Sequence, residues 1–469
     1  MKKSLISLAV VALLSGCSLA PVYVRPAMPV APHWPDGDAA PRPVALAAKP
    51  EPYALGWREF IVNEDLRKLI DVALANNRDL RISSLNIDRA RAQYGLERAD
   101  RIPHIDANLG QAASRVPSRL SATGDGYVAR QYGAGLAITA FELDFFGRVS
   151  SLSESALQSY LGTVEARRAQ QIALVAEVTN AWLTLAADQQ RLQLSEAALI
   201  SQQSTLALSQ RRMQLGSASS LDVYEVQSSV EAARNDVAVY QAQVAADRNA
   251  LALLVGRSVP PELLPQASLG TVARLAELEE GIPSSVLQRR PDVLEAERAL
   301  QAANANIGAA RAAFFPSISL TASAGSASSD LSGLFKTGSR TWTFSPQVNL
   351  PIFSGGANQA NLEIAEVTRD ISVAQYEKAV QSAFREVADA LAQRGTLTER
   401  LASQTALVAA SEKSYRIHEE RYRQGAESYL SALVSQRAMY AAQQGLITAR
   451  LDRISNQVAL YKTLGGGWQ

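Results

Sequence analysis

Apolar residues return at every seventh position over two long stretches of this chain. Leu157, Val164, Val178, Leu185, Leu192, Leu199, Leu206 and Met213 form the first series, interrupted only by Gln171. Val373, Val380, Val387, Leu401, Val408, Tyr415 and Tyr422 form the second, interrupted by Arg394. A heptad spacing held this long specifies a helix that packs along one seam, and neither 149–215 nor 357–424 contains proline. Each stretch is therefore predicted to be one helix roughly 100 Å long. After Gly216 a partner helix repeats the logic in steps of three and four through Val223, Val226, Val230, Ala233, Val237, Tyr240 and Val244. Gly216 and Gly425 then mark the tips of two helical hairpins, where the turn needs a residue tolerant of positive φ.

Between these helices the period falls to two. Trp342, Phe344, Pro346, Val348, Leu350 and Ile352 alternate with Thr341, Thr343, Ser345, Gln347, Asn349 and Pro351. Ile318, Leu320, Ala322 and Ala324 alternate with Ser317, Ser319, Thr321 and Ser323. Earlier, Ile105, Ala107 and Leu109 precede a strand around Tyr132 to Phe146. That strand changes phase between Ile138 and Phe141, which predicts a bulge near Ala140. Strands with one apolar and one small polar face are those of a barrel with lipid outside and water inside. A soluble helical rod accounts for the helices and leaves these strands without a use. Four strands cannot close alone, and a conducting lumen needs at least three chains. The predicted fold class is mixed α and β: long coiled-coil helical hairpins, and four strands per chain contributing to a transmembrane β-barrel shared by at least three chains.

The pattern is written twice. Arg212, Gly216, Leu221 and Gln227 recur as Arg421, Gly425, Leu430 and Gln436, in each case 209 residues later. Glu177-Val178 and Gly256 return at the same offset as Glu386-Val387 and Gly465, while Arg101-Ile102-Pro103 answers Phe314-Phe315-Pro316 with a drift that unequal loops explain. The expected organisation is a signal segment (1–16), a proline-rich arm (17–60), a first repeat (61–257, strands about 103–146), a linker (258–283) and a second repeat (284–469, strands about 316–353).

The N-terminus narrows the setting. Lys2 and Lys3 precede a short apolar run, Leu5 to Leu14, which ends in Leu14-Ser15-Gly16-Cys17. That tetrad resembles the lipobox of bacterial lipoproteins, and Cys17, the only cysteine, sits where the cut would fall, so the resemblance implies a covalent lipid on it; a plain signal peptide with a stray thiol is the weaker alternative. Prolines at 21, 26, 29, 32, 35, 41, 43, 50 and 52 then forbid regular helix and predict an extended tether. No later segment has 18 consecutive apolar residues, so any crossing of a membrane is made without transmembrane helices. The 46 Lys and Arg against 45 Asp and Glu become 44 against 45 once Lys2 and Lys3 are removed, and no basic field argues for nucleic acid.

An enzyme is the rival explanation. His33, His104 and His418 stand apart from one another and from Cys17, which argues against zinc. No nucleophile elbow, phosphate loop or dinucleotide fingerprint occurs. Glu142 and Asp144 could pair as glycosidase carboxylates, but rim charges of a barrel are the simpler reading. The chain is expected not to be an enzyme and to need no cofactor or metal.

Together, the lipobox-like tetrad ending in Cys17, the two repeats, the paired Arg-x-x-x-Gly motifs, the strand pairs and the ending Leu460-Tyr461-Lys462-Thr463-Leu464-Gly465-Gly466-Gly467-Trp468 resemble the outer-membrane efflux factors of the TolC and OprM/NodT type. The likeness is greatest to the lipoproteins serving resistance-nodulation-division drug pumps. It implies a homotrimer whose twelve strands form one outer-membrane β-barrel, continued by a large periplasmic α-barrel of the helical hairpins, with a periplasmic adaptor and a proton-driven inner-membrane pump as partners, and efflux of drugs and other small toxic compounds. Ducts of this kind also export metal ions, oligosaccharides or proteins, and those cargoes stay open; a purely structural coiled-coil lipoprotein is the remaining class. The resemblance places the periplasmic gate at the tips. By position Tyr422 and Asp222 would form a tyrosine-aspartate lock, with a tyrosine that only fills its seam as the equal alternative. Leu430 would act as a hydrophobic constriction. Ser431 and Val434 stand where the family often carries acids, which puts an acidic ring at that depth in doubt.

Overall fold

The structure is a computed structural model that describes residues 18–35, 55–122, 124–266, 269, 275–276 and 283–466. Cys17, the signal segment and much of the predicted linker lie outside the described residues. Eight α-helices appear among them: α1 (Trp57–Phe60), α2 (Glu64–Asn76), α3 (Arg78–Ala99), α4 (Arg148–Gln214), α5 (Ser220–Val255), α6 (Pro291–Ala312), α7 (Ala357–Arg423) and α8 (Tyr429–Thr463). The strands are β1 (Asp106–Val116), β2 (Tyr127–Glu142), β3 (Ser317–Ser328) and β4 (Arg340–Asn349). Helices α4 and α7 run for 67 residues each without interruption, as the heptads and the missing prolines require.

The chain divides into two compact units. The first gathers residues 18–27, Asn86–Val164 and Glu295–Glu377, and holds all four strands. They form one antiparallel sheet in the order β1-β2-β3-β4. Directly opposed residues of an antiparallel pair share a face. Ile318, Leu320, Ala322 and Ala324 lie opposite Val348, Pro346, Phe344 and Trp342, while Ser319, Thr321 and Ser323 lie opposite Gln347, Ser345 and Thr343. On the polar face the Ser323 and Thr343 hydroxyls meet at 2.6 Å. The expected bulge is present: the β2–β3 register shifts between Ile138 and Phe141, and Ala140 takes φ 50°. Its effect corrects the simple phase count, which set Leu136 and Ile138 against Phe141. The extra residue restores parity, so Leu136, Ile138 and Phe141 all oppose apolar-face partners, Ala324, Ala322 and Leu320. A second correction concerns β4, which ends at Asn349 and leaves Leu350 just outside the ladder.

In the same unit, residues 19–25 run antiparallel to one stripe of α6. The Arg311 guanidinium donates to the Leu19 carbonyl at 3.4 Å, the Asn304 amide to the Pro21 carbonyl at 2.7 Å, and the Arg25 guanidinium grips the buried Glu297 carboxylate through two bonds of 2.7 Å. The Tyr23 hydroxyl donates to Glu297 as well, at 2.9 Å. Residues 19–25 of the arm are extended, as Pro21 and Pro26 favour, and are clasped to the protein over that length rather than hanging free.

The second unit comprises the described parts of Met28–Leu85, Glu165–Leu294 and Lys378–Gln469. Trp57, Phe60 and Ile61 are buried in it, and Phe60 stacks on Tyr461 with ring centroids 3.9 Å apart. Arg290 is buried and donates to the Thr463 carbonyl at 2.8 Å while pairing with Asp292 and Glu386. Polar side chains link α4 to α8: Ser195 with Tyr440 at 2.8 Å and Arg191 with Thr448 at 2.9 Å. Among the described residues no helix is long and apolar enough to cross a membrane.

Candidate functional site

Both hairpin tips are built by the same local device. Helix α4 runs into Gly216 at φ 75°, whose N–H donates to the Met213 carbonyl while the Ser217 N–H donates to that of Arg212 at 2.9 Å. Helix α7 runs into Gly425, also at φ 75°, and the Ala426 N–H donates to the Arg421 carbonyl at 2.8 Å. These are Schellman closures, which need a residue free to take the left-handed conformation. The repeat therefore lies in the backbone bonds of the tips as well as in the sequence.

The side chains then diverge. In the first tip Ser219 caps α5 and Asp222 completes a capping box, its carboxylate accepting from the Ser219 N–H and hydroxyl, both at 2.9 Å. In the second tip Ser431 stands where the first has Asp222, and Ser428 makes no side-chain cap bond. Glu427 instead bridges back to α7, one carboxylate oxygen 2.7 Å from His418 Nδ1 and the other 3.1 Å from Arg421 Nε. The His418 bond, with the Arg421 charge beside it, holds the Glu427 carboxyl below its ordinary range.

Tyr422 sits between the hairpins and is only 8% exposed. Its hydroxyl lies 3.2 Å from Ser209 Oγ, its ring meets Tyr429 edge-on at 5.5 Å, and the Arg212 guanidinium lies 4.8 Å from its ring centre. Val226, Tyr429, Ala432 and Leu433 complete the cluster, with Leu206 packed against it. The Tyr429 hydroxyl donates to Gln202 at 2.9 Å, and burial pushes its pKa up to about 12, so it stays a neutral donor. Tyr422 and Asp222, which the lock would pair, each bond elsewhere within this chain: Tyr422 to Ser209, Asp222 to its own helix start. Leu430 and Val434, one turn apart on α8, are 53% and 60% exposed. Leu221, the first repeat's counterpart of Leu430, is exposed too. Sequence reasoning marked Arg212 only as a repeat motif and missed Ser209, Tyr429 and the His418–Glu427 contact. The Ser219-x-x-Asp222 box was the one legible signal among the missed features.

Glu142 and Asp144, the rival catalytic pair, are occupied locally. Glu142 makes a forked pair with Arg148, and Asp144 accepts from the Val149 and Ser150 N–H groups at the start of α4. No group of histidine, cysteine and acidic residues suited to a metal occurs among the described residues.

The sequence model of the outer membrane efflux protein family matches residues 69–257 and again 282–466. The chain belongs to the outer membrane efflux protein family. Among similar proteins of this family, the probable efflux pump outer membrane protein TtgC of Pseudomonas putida is 49% identical, over 100% of this chain and 96% of its own. Outer membrane protein OprJ of Pseudomonas aeruginosa is 44% identical, over 97% of this chain and 94% of its own. The solved open state of the Neisseria gonorrhoeae MtrE outer membrane channel superposes with a TM-score of 0.86 at 37% identity, covering 97% of this chain and 99% of that one. Family membership gives the two-faced sheet and the twin hairpins a common setting: an efflux protein of the outer membrane.

Proposed function

We propose that three copies of this chain form the outer-membrane exit duct of a tripartite efflux pump, which carries drugs, solvents and other small toxic compounds out of the cell. The observation that carries this reading is the sheet. It has one apolar and one polar face, and its four strands are too few to enclose a lumen alone. Three copies would supply twelve strands, with lipid against Trp342, Phe344 and Val348 and water against Thr343, Ser345 and Gln347. Relatives named as toluene, solvent and antibiotic efflux proteins support the cargo class. A periplasmic adaptor and a proton-driven inner-membrane pump complete the assembly, and the tips, with Tyr422, Leu430, Ser431 and Val434, form its periplasmic gate. Reconstitution in planar bilayers tests the duct: the purified protein should give discrete ion-conducting steps, and trimers that insert without conducting would overturn the reading.

The lipid face has its own test. Val348→Arg should lower barrel stability by about 2–4 kcal/mol and reduce the yield of heat-modifiable trimer, whereas Gln347→Arg, on the water face, should assemble near parent level. The reverse order would mean that the faces are inverted.

The protein is further proposed to carry acyl chains on Cys17. Ser18, not aspartate, follows the cysteine, which suits release to the outer membrane in lipoprotein sorting. Because the barrel itself inserts the protein, Cys17→Ser should impair localisation more than folding. Intact-mass spectrometry of the purified protein should show the lipid increments; an unmodified Cys17 would end the proposal.

A further inference from the structure

We infer that Arg212 is the clamp that holds the two hairpin tips together, gripping the end of α7 chiefly through its backbone. This rests on the reading of the tips as the gate and names the contact that closes it. Arg212 Nη1 donates to the Tyr422 carbonyl at 3.3 Å and Nη2 to the Arg423 carbonyl at 2.8 Å. The same guanidinium lies 4.8 Å from the Tyr422 ring centre. Three features of one side chain thus meet the last turn of the other hairpin's helix. The Tyr422 carbonyl also accepts from the Gly425 N–H at 3.0 Å, and the carbonyls of a helix's last turn carry the negative end of its dipole, so a cation with a planar fork suits that place. Ser209, three residues before Arg212 and on the same face of α4, adds the bond to the Tyr422 hydroxyl.

The repeat explains why this arginine crosses over. Its counterpart, Arg421, pairs with Glu427 in its own tip, and His418 joins the same carboxylate. The first copy has Ala218 where the second has Glu427, and Ser209 where the second has His418. Without an acid in its own turn, Arg212 reaches to the neighbouring hairpin, and the small Ser209 leaves room for the Tyr422 ring. Duplicated positions have diverged into an internal brace on one hairpin and a bridge from the other.

A clamp on carbonyls predicts a ranking that a tyrosine-aspartate lock does not. Two charge-assisted bonds bias an open–closed equilibrium by about tenfold or more. Arg212→Ala should therefore raise the open probability in planar bilayers about tenfold. Tyr422→Phe, which loses the hydroxyl but keeps the ring and both carbonyls, should raise it less. Arg212→Lys keeps the charge without the fork and should fall between parent and alanine. Arg421→Ala, which breaks a contact within one hairpin, should change it less than Arg212→Ala does. Trimer yield on gels is measured for every variant, and Arg212→Lys preserves the test if Arg212→Ala assembles poorly. If Tyr422→Phe opens the channel while Arg212→Ala and Arg212→Lys conduct like the parent, the clamp is wrong and the gate reading stands. If Arg212→Ala, Tyr422→Phe and the combined Arg212→Ala/Tyr422→Ala trimers all conduct like the parent, the tips are not the gate and both ideas fall.

Discussion

Gly325→Val is expected to abolish assembly of the membrane sheet. Gly325 pairs directly with Gly135 across β2 and β3, and the two backbones approach too closely there for any side chain. A Cβ on Gly325 would lie 2.3 Å from the Ala134 carbonyl oxygen and 2.7 Å from the Gly135 Cα; one on Gly135 would lie 2.7 Å from the Ala324 oxygen. Neither glycine has positive φ, so the constraint is space alone. A flexible side chain could turn aside, but a backbone held in a ladder cannot without breaking its bonds. Overpacking of a core commonly costs about 1–3 kcal/mol, and here the obstacle is main chain, so the cost should exceed about 4 kcal/mol. The expected result is loss of heat-modifiable trimer from outer-membrane fractions; parent-level trimer would show that β2 and β3 separate at little cost.

Gly256→Ala should be the most damaging single methyl in the helical unit. Gly256 ends α5 at φ 78°, its N–H shared between the Ala252 and Leu253 carbonyls. A Cβ there would stand 2.3 Å from the Asn76 carbonyl oxygen. That approach is fixed from the other side, because the Asn77 side chain donates to the Leu254 carbonyl at 2.8 Å and accepts from the Leu80 N–H at 2.9 Å. Left-handed strain adds about 1–2 kcal/mol, and the backbone overlap should bring the total to about 3 kcal/mol or more. Gly216→Ala is the matched comparison: φ is 75°, but nothing lies within 4 Å of its Cβ, so it should lose only the strain component. Denaturant midpoints of the detergent-purified variants measure the difference, and equal losses would remove the steric part of the argument.

The features legible in the sequence are those with a short repeat. Heptads without proline gave α4 and α7, alternation gave the faces of β3 and β4, and a break in alternation gave the bulge at Ala140. What stayed hidden depends on partners far apart in the chain. Nothing local in Arg25 points to Glu297, nor in Arg212 to the carbonyl of Arg423. Asp222 carries two readings at once: a capping box with Ser219, which is local and present in the structure, and a position six residues after Gly216, which only the resemblance ties to the gate. Leu350 alternates as though in β4 and lies just past the ladder's end, because hydrophobic phase does not say where pairing stops.

The clasp of residues 19–25 on α6 also bears on the order of events in making the protein. Its bonds join residues 272 to 292 apart in sequence, and β2 waits for β3 across a shorter gap, from Glu142 to Ser319 and from Tyr132 to Ser328. An exported chain presents its N-terminus first, so the segment next to Cys17 reaches the periplasm long before α6 exists for it to grip. Closing such a loop adds little free-energy cost compared with a shorter one, but non-local contacts slow folding. The clasp must remain open until α6, which ends at Ala312, has crossed, and the β1–β2 hairpin lacks its β3 neighbour until Ser317–Ser328 has followed. Maturation thus has a checkpoint past the midpoint of the chain: residues 19–25 are seated only once Glu297 to Arg311 is there to hold them.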